Sequence, residues 1–74
     1  MEFKIGDRVI GIGSYEGRLI DGEIGTVKQV SSYACAVHWD SNIGGWGDSP
    51  RAIPYGHGWS VDNTQLRLLN KKKS

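Results

Sequence analysis

The chain has 74 residues, of which 38% are hydrophobic and 23% are charged. This length allows one domain, and this composition excludes a disordered chain and, without a long apolar run, a transmembrane helix. Residues 1–70 contain six Lys or Arg and eight Asp or Glu, a net charge of −2, whereas 71–74 contains three lysines. The acidic body argues against a domain that follows a nucleic-acid backbone, which normally has a basic face.

Five short strands are predicted in chain order, and helix patterns are almost absent because glycine interrupts them. In the third strand Cys35, Val37 and Trp39 share one face, because side chains alternate along a strand. This apolar face is expected to lie in the core. In the fourth strand, Trp59 and Val61 share a face in the same way. The predicted strands span residues 8–12, 25–30, 34–39, 58–61 and 67–69.

The connections between these strands differ in length and composition. Residues 13–23 form a long polar loop, and the short link 31–33 predicts an antiparallel hairpin. Residues 40–57 form an eighteen-residue loop with four glycines and two prolines, a length that is usually functional or mobile. Residues 62–66 open with Asp62, a residue typical of a helix start, and predict one short helical turn before the last strand.

Four segments carry a resemblance to a known fold: KIGDRV at 4–9, GEIGTVKQV at 22–30, AVHWD at 36–40 and WSVDNTQLRLL at 59–69. They resemble SH3-like small barrels, in particular mind-bomb-type domains and the small SH3-like proteins of phages and prophages. The resemblance covers roughly residues 4–39 and 58–69, and residues 40–57 depart from it. It implies an all-β, SH3-like barrel of five mostly antiparallel strands in residues 1–70, followed by a disordered basic tail at 71–74.

No catalytic or metal-binding set is expected. Cys35 and His38 lie on opposite faces of their strand, so a Cys–His pair is disfavoured, and a buried Cys35 is expected to be inert. Four residues could in principle bind a metal, but none lies at a recognised ligand spacing: His38, Asp40, Asp48 and His57. We therefore expect neither an enzyme, nor a metal site, nor a cofactor.

The aromatic residues are the most informative group. Trp39 and Trp59 follow strand alternation and are expected in the core or barrel wall, whereas Trp46 lies in a glycine-rich loop and fits no predicted strand. Tyr15 and Tyr55 lie in the two longest loops. The predicted partner-binding surface is Tyr15, Trp46, Tyr55 and the loop residue His57. The alternative for Trp46 is that it covers the protein's own core.

These features predict a non-catalytic binding module whose partner is a protein. The resemblance to phage proteins implies one concrete form, an accessory protein that binds and inhibits a host factor such as a component of a defence system. A nucleic-acid-binding barrel and a binder of a small molecule or nucleotide remain as alternatives. The N-terminal residues do not resemble a secretory signal, so we expect a cytoplasmic protein without membrane contact, with self-association left open.

Overall fold

The computed structural model describes residues 3–69, and this part of the chain is built from antiparallel strands with no α-helix. Six strands form one sheet in the order β6-β7-β5-β4-β1-β8, and β2 and β3 form a separate hairpin. The strands are β1 Arg8–Gly11, β2 Ser14–Tyr15, β3 Arg18–Leu19, β4 Ile24–Val30, β5 Ala34–Trp39, β6 Trp46–Asp48, β7 Ile53–Asp62 and β8 Leu66–Leu68. The predicted all-β class is therefore confirmed. The number of strands differs from the predicted five, since residues 3–69 contain eight, and β6 and β8 end the six-stranded sheet without pairing to close a barrel.

The core lies on the face of β5 that the sequence predicted. Cys35, Val37 and Trp39 are each at most 1% exposed, and Val37 is opposite Val27 in β4 and Trp59 in β7. Burying a side chain such as valine stabilises the fold by about 1.5–3 kcal/mol, so this face dominates the stability of a domain of this size. Nine buried side chains of residues 3–69 pack together: Phe3, Val9, Ile20, Val27, Cys35, Val37, Trp39, Val61 and Leu66.

The first long connection is not the plain loop that the sequence predicted. It contains the hairpin β2–β3, in which Glu16 and Gly17 form a two-residue turn with φ of 50° and 81°. Positive φ at both central residues defines a type I′ turn, whose twist matches that of the paired strands. The turn was missed because Glu, unlike Asn or Asp, is not typical at its first position.

Most of the predicted loop 40–57 is also ordered structure. It contains β6, a 3-10 helix at Ser49–Arg51 and the first half of β7, which begins at Ile53 rather than at residue 58. Ahead of β6, Ile43 and Gly45 donate their N–H groups to the Gly56 carbonyl at 2.9 and 3.0 Å. The glycines of this segment led to the prediction of a loop, because glycine has low strand propensity. Glycine is nevertheless found in strands where two backbones approach closely.

The predicted helical turn at 62–66 is confirmed as a 3-10 helix at Asn63–Gln65. The Asp62 carboxylate accepts the N–H of Thr64 at 2.9 Å, which satisfies a donor that the helix leaves free. The predicted tail at 71–74 lies outside the described residues. Within residues 3–69, no helix is both long and apolar enough to span a membrane.

Candidate functional site

A surface groove of about 370 Å³ lies between the hairpin β2–β3 and the connection end of the hairpin β4–β5. One wall is the tip of β2–β3, with Tyr15 and Glu16, and the other is the β4–β5 connection, with Tyr33. Tyr15 is half-buried, whereas Tyr33 is 71% exposed. The groove is lined by Tyr15, Glu16, Gln29, Val30, Ser31, Tyr33, Ala34, Cys35, Ala36 and Ser60.

Both walls are fixed by hydrogen bonds to the body of the domain. The Trp59 indole Nε1 donates to the Tyr15 carbonyl at 3.1 Å, and the Gln65 side chain donates to the Ser14 carbonyl at 2.7 Å. On the opposite side, the Asn63 N–H donates to the Tyr33 carbonyl at 2.8 Å. The backbone of both tyrosines is thus held in place before any ligand binds, which lowers the entropic cost of binding.

The charge of the groove is simple. Glu16 is the single charged residue among those that line it, and no Lys or Arg takes part. The remaining lining is apolar or neutral and polar, with small side chains at Ala34, Ala36 and Ser60. The groove therefore offers aromatic surface, hydrogen-bonding groups and one negative charge.

Tyr33 is the groove residue that sequence reasoning missed. The sequence did contain a signal. Tyr33 lies in a three-residue connection between two strands, so strand alternation does not direct its side chain into the core and an exposed position is expected. Large exposed aromatics of this kind are frequent anchors at interfaces.

Trp46 belongs to a strand, contrary to the expectation that it fits no alternation. It opens β6 opposite Gly58, and a Cβ added at Gly58 would overlap the ring of Trp46, so the indole lies directly over that glycine. Trp46 is half-buried and is not among the residues that form or border the core cluster. These placements favour a surface position for Trp46 over the alternative of a lid on the core.

Tyr55 and His57 share β7 but differ in environment. Tyr55 is 84% exposed, beside Gly47 of β6. His57 Nδ1 lies 2.9 Å from the Trp39 carbonyl oxygen, which can only accept, so this nitrogen donates the hydrogen bond. Of the four residues predicted to bind a partner, Tyr15 alone lines the groove, and Trp46, Tyr55 and His57 lie along β6–β7.

The chain was compared with family models, with curated proteins and with solved structures. None of them matches it.

His38 and His57 form an edge-on pair on the sheet, with ring centroids 5.8 Å apart. Burial lowers the pKa of His38 from its ordinary 6.5, and His57, Lys28 and Arg8 lower it further, while Asp40 opposes them. Among residues 3–69, no group of three or more His, Cys, Asp or Glu side chains is placed to hold a metal ion.

The depressed pKa of His38 predicts acid-sensitive stability. Below pH 6.5 the unfolded chain takes up a proton at His38 more readily than the folded chain does, so the free energy of unfolding falls as the pH decreases below that value. Urea unfolding between pH 8 and pH 5 measures this, and His38→Gln should flatten the profile. An unchanged slope in His38→Gln would assign the acid sensitivity to other groups.

Cys35 is expected to be unreactive in the folded protein. It is 1% exposed, its thiol donates to the Asn63 side-chain oxygen at 3.1 Å, and burial raises its pKa, so little thiolate is present at neutral pH. Labelling with DTNB should be slow in buffer and immediate in denaturant. Fast labelling of the native protein would show that the β5 face opens readily.

Proposed function

We propose that this chain is a non-catalytic module of SH3-like fold that binds a segment of another protein in the groove between its hairpins. Three features support an SH3-like fold. The sheet has the strand order β7-β5-β4-β1-β8, the first long connection contains a hairpin, and a 3-10 helix precedes the final strand. In this proposal β6 is an additional strand at the β7 edge of the sheet.

The observation that carries the binding proposal is the pair of tyrosines across the groove. Tyr33 leaves 71% of its surface in water while its backbone is fixed, an arrangement that costs solvation and favours contact with a partner. Tyr15 faces the same groove from a second fixed element. A groove with an aromatic residue on each of two hydrogen-bonded elements suits an extended peptide segment better than a flat protein surface.

The charge of the groove specifies the partner further. Because Glu16 is the one charge in the lining, we propose a segment with a basic side chain that pairs with it. Nucleic acid is disfavoured, since a phosphate backbone needs Lys or Arg and the groove lining has neither. The groove volume also falls in the range of small-molecule sites, about 300–1,000 Å³, so a small ligand is a separate outcome of the test.

Two exposed tyrosines provide a matched test of the site. Peptides selected from a display library against the full chain are synthesised and titrated by calorimetry. Tyr33→Ala should weaken binding by about 2 kcal/mol, roughly thirtyfold, whereas Tyr55→Ala should leave it unchanged. Glu16→Gln should lower the affinity for the same peptides and make that affinity less dependent on salt concentration.

The other outcomes each point elsewhere. Loss of binding in Tyr55→Ala but not in Tyr33→Ala would move the interface to β6–β7, the surface that Trp46, Tyr55 and His57 predict from the sequence. A steep salt dependence with an oligonucleotide would indicate nucleic-acid binding, and thermal stabilisation by a nucleotide or metabolite a small-molecule site. The more specific role of a phage-type inhibitor rests on the sequence resemblance alone and stays a prediction.

A further inference from the structure

Arg18 lies next to the proposed groove and is held in a fixed position by two contacts. It stands opposite Tyr15 in the hairpin β2–β3, and its guanidinium carbon lies 5.4 Å from the centre of the Trp59 ring. The guanidinium also lies close to Gly44, where an added Cβ would come within 2.9 Å of a terminal nitrogen of Arg18. Contact with an aromatic ring restricts the orientations that a guanidinium adopts.

Arg18 has this position without an acceptor for its charge. In the described part of the chain, its Nε is buried and makes no hydrogen bond, and no carboxylate lies within ion-pair distance of the guanidinium. Arg8 and Arg51 differ, because they pair with Asp40 and Asp48. A half-buried cation without a counter-ion is costly, and a buried unsatisfied donor requires an explanation.

We propose that Arg18 binds a carboxylate of the partner protein, supplied by an Asp, a Glu or a chain terminus. The terminal nitrogens of the planar guanidinium present paired donors that match the two oxygens of a carboxylate, and the contact with Trp59 reduces the ordering cost of forming both bonds. Phosphate has oxygens of similar geometry, but the net charge of −2 in residues 1–70 disfavours a polyanion such as nucleic acid.

The carboxylate site deepens the proposed function and rests on it. Glu16 is the first residue of the tight turn and Arg18 follows the turn directly, so the hairpin carries two opposite charges close together. A partner segment that places a basic residue at Glu16 would then carry an acidic residue at Arg18. This pattern sets the direction of the segment along the hairpin, because the reversed segment would bring like charges together.

The test uses the full chain and a small probe that needs no partner. Sodium acetate is titrated at constant ionic strength against chloride, and the Arg Nε–H and Trp indole N–H resonances are followed by NMR. We expect saturable shifts at Arg18 and at the Trp59 indole, which is bonded to the Tyr15 carbonyl. Arg8, already paired with Asp40, is the internal control and should not respond.

Two variants establish that Arg18 is the binding group. Arg18→Gln should abolish the shift of the Trp59 indole, and Arg18→Lys, which keeps the charge but loses the planar donor pair, should weaken acetate binding about tenfold. If Arg18→Gln does not fold, Arg18→Lys alone decides, because affinity equal to that of the wild type would overturn the proposal.

Three further results would also overturn it: no response of Arg18 to acetate, an equal response to chloride, or more than tenfold tighter binding of inorganic phosphate together with binding of an oligonucleotide through Arg18. The readouts separate this site from the proposed function. Acetate binding reports on Arg18 alone, whereas the effect of Tyr33→Ala on selected peptides reports on the groove.

Discussion

Replacing Trp39 by alanine should leave most of the protein unfolded at room temperature, whereas the same replacement of Trp46 should leave a folded domain. Trp39 is fully buried at the end of the central strand β5, and its indole donates to the Trp59 carbonyl at 3.3 Å. Truncating a buried tryptophan costs about 3–5 kcal/mol. A domain below about 70–80 residues rarely has more than 3–5 kcal/mol of stability from its core, so the loss approaches the whole stability.

Trp46 has the same side chain in a different environment. It lies half-buried over Gly58 and outside the core cluster, so Trp46→Ala should cost about 1 kcal/mol. Urea unfolding followed by circular dichroism compares the two variants directly. A Trp46→Ala variant as unstable as Trp39→Ala would make Trp46 a cover of the core and remove it from any proposed binding surface.

The sequence predicts the central strands well because their burial is one-sided. In β5 every second residue is apolar, and a slip of one residue in the register would turn Cys35, Val37 and Trp39 away from the core. The Asp62 cap was predicted for a similar reason, since its hydrogen bond to Thr64 is local and depends on residue type alone. Hydrogen bonds between neighbouring residues and strict apolar–polar alternation are the two features that can be predicted without knowing which strands pair.

The strands of residues 40–57 were missed because their identity depends on tertiary contacts. Trp46 pairs with Gly58, and Gly47 packs against the backbone of Tyr55. Each glycine leaves space for a contacting residue that is distant in the sequence, so the sequence alone does not show why glycine is there. Alternation fails in such a segment because one member of each pair has no side chain. The Glu16–Gly17 turn was missed for a different reason, an uncommon residue at a turn position.

The candidate site was predicted only in part. Tyr15 was identified from its place in a long loop, and the structure locates it in the groove wall. Tyr33 was not identified although its place in a short connection between two strands is a signal, and Arg18 was not identified because a lone arginine looks ordinary in the sequence. Their interest arises from exposure in one case and from the lack of an acceptor in the other, and both are properties of the folded chain.

Gly45→Ala should destabilise the domain by about 3 kcal/mol, because a methyl group at this position meets backbone rather than a movable side chain. An added Cβ would overlap the carbonyl oxygen of Gly58 and approach the Trp59 ring to 3.3 Å. The backbone of Gly45 is not left-handed, so alanine is acceptable there in every respect except space. The segment ahead of β6 would have to move away from β7, with loss of the hydrogen bond from Gly45 to Gly56.

Gly6→Ala is the matched control, because it tests backbone strain without crowding. Gly6 has φ of 98° and nothing within 4 Å of an added Cβ, so alanine should cost about 1–2 kcal/mol there. Urea midpoints of the two variants measure the difference. Since Gly44 supports the Arg18 guanidinium, Gly45→Ala should also shift the Trp59 indole resonance, and Gly6→Ala should not. Equal stability of the two variants would show that residues 40–45 do not pack against β7 in solution.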